Sequence, residues 1–392
     1  MGVQAVARRR HRLAQRRRAM GFTQDSLAER LGVDRTTVVR WETGTASPQP
    51  WMRPRLANVL EVSVEALVDL LQEDEGPDVG RAAQKDLLPD PARVDLTTIA
   101  ALRCKFDELA ALYDRAPSAS LLAKGGEYLS LIALMARRAP HGRTERELLA
   151  LQADALTLMG QLVWDASQRR DHATARGYYD ESVQVARRLR DQTLEGRALL
   201  RTCYVALYGA QDPRSGLDLA LQAATIARPT SPSVTGLALL HAGEAHAMLG
   251  EAKDCERNLA AARQQLEQTD RTDPAADMFS LAQFNRLAGS CYLSLGQHRR
   301  AQELLVTTAA ELQERRKSRT IVLGNLTLAY IRQREIDAAV DTLTEAIAEL
   351  EDTRGGGGLN VVFSAARELR PWRQERTVAD VHDRLFALMA TA

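Results

Sequence analysis

Thr23-Gln24-Asp25-Ser26-Leu27-Ala28-Glu29-Arg30-Leu31-Gly32-Val33-Asp34-Arg35-Thr36-Thr37-Val38-Val39-Arg40-Trp41-Glu42-Thr43-Gly44 decides the fold of the N-terminal region. Thr23 is placed to cap a helix over 24–31, and Gly32 to end it. Asp34 is placed to cap a second helix over 35–42, which Gly44 stops. Only a glycine-containing turn lies between the two helices, so they must cross sharply.

That crossing is the geometry of a helix-turn-helix. Leu27, Ala28, Leu31, Val33, Val38 and Trp41 fall where a small helical core needs them, which makes Trp41 a core residue rather than a stacking platform. Arg35, Thr36 and Arg40 point outward. Upstream, a helix over 8–20 has Leu13 on its inner face and Gly21 as its stop. Downstream, short helices over 54–60 and 63–71 close the domain, with Leu56, Leu60, Leu67 and Leu70 as lids. Residues 1–60 hold twelve arginines against four acids, a balance of +8, so the rest of the 392-residue chain carries −7. A cationic head on a mildly acidic body is the charge layout of a protein that lays one end on a polyanion.

The stretch from Leu13 to Leu71, with Thr23-Gln24, Leu27-Ala28, Leu31-Gly32-Val33, Val39-Arg40-Trp41-Glu42 and Gly44 at their spacing, resembles the XRE family of lambda-repressor and Cro-like DNA-binding domains. Asp34 departs from the serine or threonine usual there, but a carboxylate still caps well. The resemblance implies that Gln24 donates to a phosphate beside a helix N-terminus. It puts Arg35 and Thr36 in the major groove, where a guanidinium pairs with guanine and a threonine methyl meets thymine. Thr37 and Arg40 are expected to make mixed base and backbone contacts, and Thr43 to donate to a phosphate. Half of the arginines from Arg8 to Arg18 are expected to solvate the first helix and the rest to steer toward phosphates.

Residues 73–95, containing Glu-Asp-Glu-Gly-Pro and Leu88-Pro89-Asp90-Pro91, read as a linker. Beyond it the chain is almost wholly helical, with a period near 40 residues. A bulky residue recurs at Trp164, Tyr204, His246, Tyr292 and Tyr330, followed by a small one at Ala173, Ser215, Cys255, Ala301 and Ala339. Leucine comes four positions later at Leu219, Leu259, Leu305 and Leu343. A bulky residue on one helix facing a small one on the next is what close packing of a helix pair demands. The body therefore resembles tetratricopeptide repeats, although its period is longer and the terminal proline of that repeat is missing. Five pairs are expected, with a divergent pair before them over 96–138.

The expected architecture is all-α: a five-helix DNA-binding domain over 1–72, the linker, tetratricopeptide-like helical repeats over 96–354, and a glycine hinge with capping helices over 355–392. Such a body resembles one that senses a peptide, small-molecule or protein signal, or dimerises. Glu195, Glu244, Asn285, Arg286 and Asn325 are candidates for its binding face. Double-stranded DNA and a second copy of the chain are the expected partners. The alternative is an interaction scaffold whose helix-turn-helix does not read DNA.

No metalloprotease, phosphate-loop or nucleophile-elbow motif occurs, so no enzymatic function, cofactor or metal is expected. The cysteines Cys104, Cys203, Cys255 and Cys291 read as buried thiols of a reducing cytosol. With no apolar run long enough to span a bilayer, a cytoplasmic location is expected.

Overall fold

The structure, a computed structural model, describes residues 11–44, 46–49, 51–62, 67, 70–71 and 95–390. The chain divides into two compact units, Met1–Arg93 and Val94–Ala392. Among the described residues every regular element is a helix, and none is long and apolar enough to cross a membrane.

The head contains α1 (His11–Ala19), α2 (Gln24–Leu31), α3 (Arg35–Glu42) and α4 (Arg53–Val59), and Leu67, Leu70 and Leu71 are again helical. Local chemistry sets the boundaries of α2 and α3 where the sequence places them. Thr23 Oγ1 accepts from Ser26 N–H at 3.0 Å, and Ser26 Oγ accepts from Thr23 N–H at 2.8 Å, a reciprocal capping box. Gly32 takes the left-handed conformation (φ 68°), which a residue without Cβ adopts at no steric cost. Asp34 then caps α3 by accepting from Thr36 N–H at 2.9 Å.

Leu13, Leu27, Leu31, Val38, Trp41, Leu56, Leu60 and Leu67 form the core of the head. Each fully buried leucine contributes about 1.5–3 kcal/mol relative to exposure. The last lid is Leu71 and not Leu70, which is half-buried. Residues 8–10, 63–66 and 68–69 of the expected helices, and the linker up to residue 94, lie outside the described residues.

The body runs as consecutive helix pairs: α5 (Leu96–Ala111) with α6 (Ser118–Arg138), α7 (Arg143–Ala166) with α8 (His172–Leu189), and α9 (Gln192–Tyr204) with α10 (Pro213–Ala227). These are followed by α11 (Pro232–Met248) with α12 (Ala252–Gln268), α13 (Leu281–Ser294) with α14 (His298–Glu311), α15 (Arg316–Arg332) with α16 (Ile336–Thr353), and α17 (Gly356–Glu368) with α18 (Arg376–Ala390). First helices also pack on the next first helices, which makes the unit a tetratricopeptide-like solenoid.

In α8, α10, α12, α14 and α16 the small residue that admits the first helix is the fourth of the helix: Ala175, Gly216, Cys255, Ala301 and Ala339, all buried. Two expected positions are thereby corrected. Ala173 is exposed and Ser215 half-buried; Ser215 Oγ is turned to its helix cap, Asp212 Oδ2, at 2.6 Å. Counting from the bulky residue fails there because the turns differ in length. The α7–α8 turn holds two left-handed residues, Gln168 (φ 54°) and Arg169 (φ 61°), and α9 is prolonged by a π-helical turn, Val205–Gly209. The same shift makes Ala220, rather than Leu219, the buried residue one turn further on.

The start of the body is tied to its far end. Lys317 Nζ on α15 donates to Asp165 Oδ2 (2.9 Å) at the end of α7 and to Ser118 Oγ (2.7 Å) at the start of α6. Ser118 donates onward to Asp165 at 2.7 Å, and Gly356 N–H completes the carboxylate at 2.8 Å. Lys317 and Asp165 are each about 95% buried. Burial at that level requires the charges to be paired and hydrogen-bonded, and here they are.

The glycine run is not a hinge: residues 356–358 are the buried first turn of α17. A Cβ on Gly356 would lie 2.7 Å from the Asp165 carbonyl oxygen, and one on Gly357 2.1 Å from the Arg169 guanidinium. Close backbone approach is therefore the reason for the glycines. Cys203, Cys255 and Cys291 are buried free thiols, but Cys104 is exposed, because it lies off the α5 face formed by Ile99, Leu102, Phe106 and Leu109.

Candidate nucleic-acid interface

Helix α3 is held from one side. Val38 and Trp41, three residues apart, are buried, while Arg35, Thr36 and Arg40 are exposed and Thr37 is half-buried. Thr36 and Arg40 stand one turn apart, so the opening of α3 and its outer face carry a hydroxyl, a methyl group and two guanidinium groups. Arg35 Nε lies 3.5 Å from Asp25 Oδ1, with both side chains more than 60% exposed. Such a pair is worth at most about 1 kcal/mol and yields readily to a stronger anion.

The other expected contact residues are already engaged. Thr36 Oγ1 donates to Asp34 Oδ1 at 2.9 Å, and these two Thr36 bonds hold the Asp34 carboxyl below the usual carboxylate range. Thr43 Oγ1 donates to Val39 O at 2.9 Å, ending α3 rather than facing outward as a donor. Gln24, at the first position of α2, donates from Nε2 to Glu42 Oε2 at 2.6 Å. Its backbone N–H still belongs to an open helix N-terminus, the part of a helix that attracts anions.

Glu42 is the centre of a network that sequence reasoning missed. Arg17 Nε donates to Glu42 Oε1 at 2.6 Å, both side chains being more than 90% buried, and Arg17 also donates to the Phe22 carbonyl at 2.6 Å. Arg16 donates to the carbonyls of Leu60 and Glu61 at 2.8 and 2.7 Å, closing the end of α4. Two of the arginines expected to solvate α1 or steer toward phosphates are thus structural, while Arg18 is exposed. The signal lay in the helical phase: Arg17 follows buried Leu13 by four residues and shares its face. The network pins α1 and α2 to the end of α3 and so fixes the angle at which Arg35, Thr36 and Arg40 are presented.

Among the described residues one trio, His246, Glu251 and Asp254, brings metal-ligand atoms within 4.8 Å of one another. Its groups are already engaged: His246 Nδ1 lies 2.6 Å from Glu251 Oε2, and Asp254 pairs with Arg257.

No curated protein matches the chain. Solved structures resemble it at low identity. A Rap protein complexed with competence and sporulation factor is 14% identical over 74% of this chain and 98% of that one, with a TM-score of 0.43. A signal-transduction ATPase with a tetratricopeptide-repeat sensor, from Pyrococcus horikoshii, is 16% identical over 67% of this chain and 39% of that one (TM-score 0.41). The apo form of the competence regulator ComR from Streptococcus vestibularis is 15% identical over 84% of this chain and 97% of that one (TM-score 0.27). Residues 10–71, the whole of the α1–α4 region and the helical leucines after it, match the helix-turn-helix domain family.

Proposed function

We propose that the protein is a sequence-specific DNA-binding transcription regulator of the XRE type, in which α3 reads the major groove and the helical body receives the signal or dimerises. The observation that carries this reading is the outer face of α3. Arg35, Thr36 and Arg40 are exposed on a helix whose opposite side is locked by Val38, Trp41 and the Arg17–Glu42 pair. Arg35 pairs with guanine, the Thr36 methyl contacts thymine, and Thr37 and Arg40 divide between bases and backbone. Gln24 and Thr43 reach phosphates only by exchanging their present internal bonds, so they position the head rather than specify sequence. Two copies read half-sites about 34–36 Å apart.

The body supports the signal-receiving part of this reading by carrying half-buried polar residues, Glu195, Asn285, Arg286 and Asn325, on its first helices. A peptide, a small molecule or a protein is the effector class this arrangement serves.

The test is selection of the purified chain on a genomic fragment pool beside Arg35→Ala. Enrichment of a palindromic sequence, lost in the variant, is expected. Equal recovery of all fragments by both proteins contradicts the reading.

A further inference from the structure

The ends of α7 and α9 and the middle of α11 bring together an aromatic and cationic cluster. The Arg169 guanidinium carbon lies 4.7 Å from the Trp164 ring and 5.5 Å from that of Tyr208. The Tyr204 ring lies 6.0 Å from Tyr208 and 4.3 Å from His241, and Arg201 stands 5.3 Å over Tyr204. Tyr208 sits in the π-helical turn Val205–Gly209, a widened turn of a kind concentrated at functional sites.

Glu244 is the buried acid of this cluster, and its hydrogen bonds are taken. Tyr208 donates its hydroxyl to Glu244 Oε2, Ser290 Oγ donates to Oε1 at 2.8 Å, and His241 Nδ1 lies 3.3 Å from Oε2. The Tyr208 hydroxyl also lies 2.9 Å from His241 Nδ1, so these bonds engage Nδ1 and leave other buried nitrogens nearby without partners. Trp164 Nε1, Arg169 Nε and His241 Nε2 are buried with no hydrogen-bond partner in the protein. They make up half of the six such atoms among the described residues. Trp164 and His241 are 95% and 99% buried. Folded proteins leave few buried polar atoms unsatisfied, and a concentration of them on aromatic faces marks a place for a ligand.

Two of the three, the Trp164 and Arg169 N–H groups, are donors in every protonation state, so the ligand brings acceptor oxygens. With the Arg169 and Arg201 guanidinium groups standing over the rings of the cluster, it brings negative charge as well.

We propose that Trp164, Arg169, Tyr204, Tyr208 and His241 form a binding site for a carboxylate ligand. Trp164 and Arg169 take the carboxylate, and the tyrosine rings take a flat or apolar remainder. This rests on the reading of the body as the signal-receiving unit. The carboxylate belongs either to a small organic acid or to the C-terminus of a short peptide.

Calorimetric titration of the full chain with sodium benzoate, and separately with the tripeptide Gly-Gly-Phe and its C-terminal amide, tests the site and distinguishes the two sources. Saturable binding of benzoate or of the free tripeptide, but not of the amide, is expected. Trp164→Phe, which keeps a ring and removes only the N–H, and Arg169→Gln should each weaken it roughly tenfold or more, the worth of one charge-assisted hydrogen bond. Arg299→Gln, at an exposed surface position, should leave it unchanged. If neither probe binds above sodium chloride of equal strength, or if binding is the same in both site variants, the site is overturned. DNA selection on the same preparations separates the two readings. Retained sequence preference without carboxylate binding removes this site alone, and carboxylate binding without sequence preference removes only the DNA-reading head.

Discussion

At the scale of single residues, the head depends on a buried ion pair more than on its exposed charges. Arg17→Met leaves Glu42 buried with Gln24 as its one side-chain donor among the described residues. Breaking such a pair from one side costs about 3–5 kcal/mol, whereas replacing both partners with apolar groups is often neutral. Chemical denaturation of the head should therefore show a large loss in Arg17→Met and recovery in Arg17→Met/Glu42→Leu; equal losses in both would contradict the assignment. Arg17 was legible only through its spacing from Leu13. The network's tie to Gln24 was not, because it joins residues 18 apart whose contact exists only once the helices cross.

His241 gives the body a pH dependence of predictable sign. Burial holds its imidazole neutral to lower pH than the usual value of about 6.5. Between its unfolded and folded values the unfolded chain binds more protons, so stability falls as pH drops below about 6.5, by up to about 1.4 kcal/mol per pH unit. Thermal melts between about pH 7.5 and about pH 5 should show this slope, and His241→Gln should reduce it. His298, shifted in the same direction by the same cause, leaves a remainder. A slope unchanged in His241→Gln would contradict the assignment.

At the scale of elements, helix pairing in the five central repeats rests on the fourth residue of the second helix. Ala175→Leu inserts a bulky group against α7 and should cost about 1–3 kcal/mol, while Ala173→Leu, two residues away and exposed, should fall within about 0.5 kcal/mol of the parent. Denaturation midpoints of the two variants read the register directly, and the reverse order would refute it. Three of the five positions, Cys255, Ala301 and Ala339, were legible because their pairs share one turn length. Ala175 and Gly216 were not, because left-handed residues and a π-turn lengthen the connection without changing the apolar period. By contrast, α2 and α3 were legible to their boundaries, since caps and glycine stops act within a few residues of where they are written.

The glycine run belongs to the same scale. Four glycines read alone as a flexible joint. Their true reason, the contact of α17 with the end of α7, spans 191 residues and has no local mark. Gly356→Ala meets backbone atoms at 2.7 and 2.9 Å that cannot swing aside, and should cost about 1–3 kcal/mol in body stability. Gly357→Ala meets the tip of the Arg169 side chain, which can move, and should cost less. Comparable thermal losses in the two would contradict the seam.

At the scale of the whole molecule, the chain packs as two separate units, a head whose first 60 residues carry the arginine excess and a helical body in which Lys317, Asp165 and Ser118 tie early helices to late ones. The proposed function assigns DNA reading to the first and signal reception to the second, and it requires both to work in one chain.

The central claim is that α3 reads sequence, and its most direct measurement is the affinity of the full chain for a selected operator and for a scrambled duplex of equal length across a salt series. The account predicts a preference of about a thousandfold or more for the operator. Binding to both duplexes should weaken steeply with salt, and the preference should collapse in Arg35→Ala. Equal affinity for operator and scrambled duplex at every salt concentration, or an Arg35→Ala protein that keeps the full preference, would contradict it.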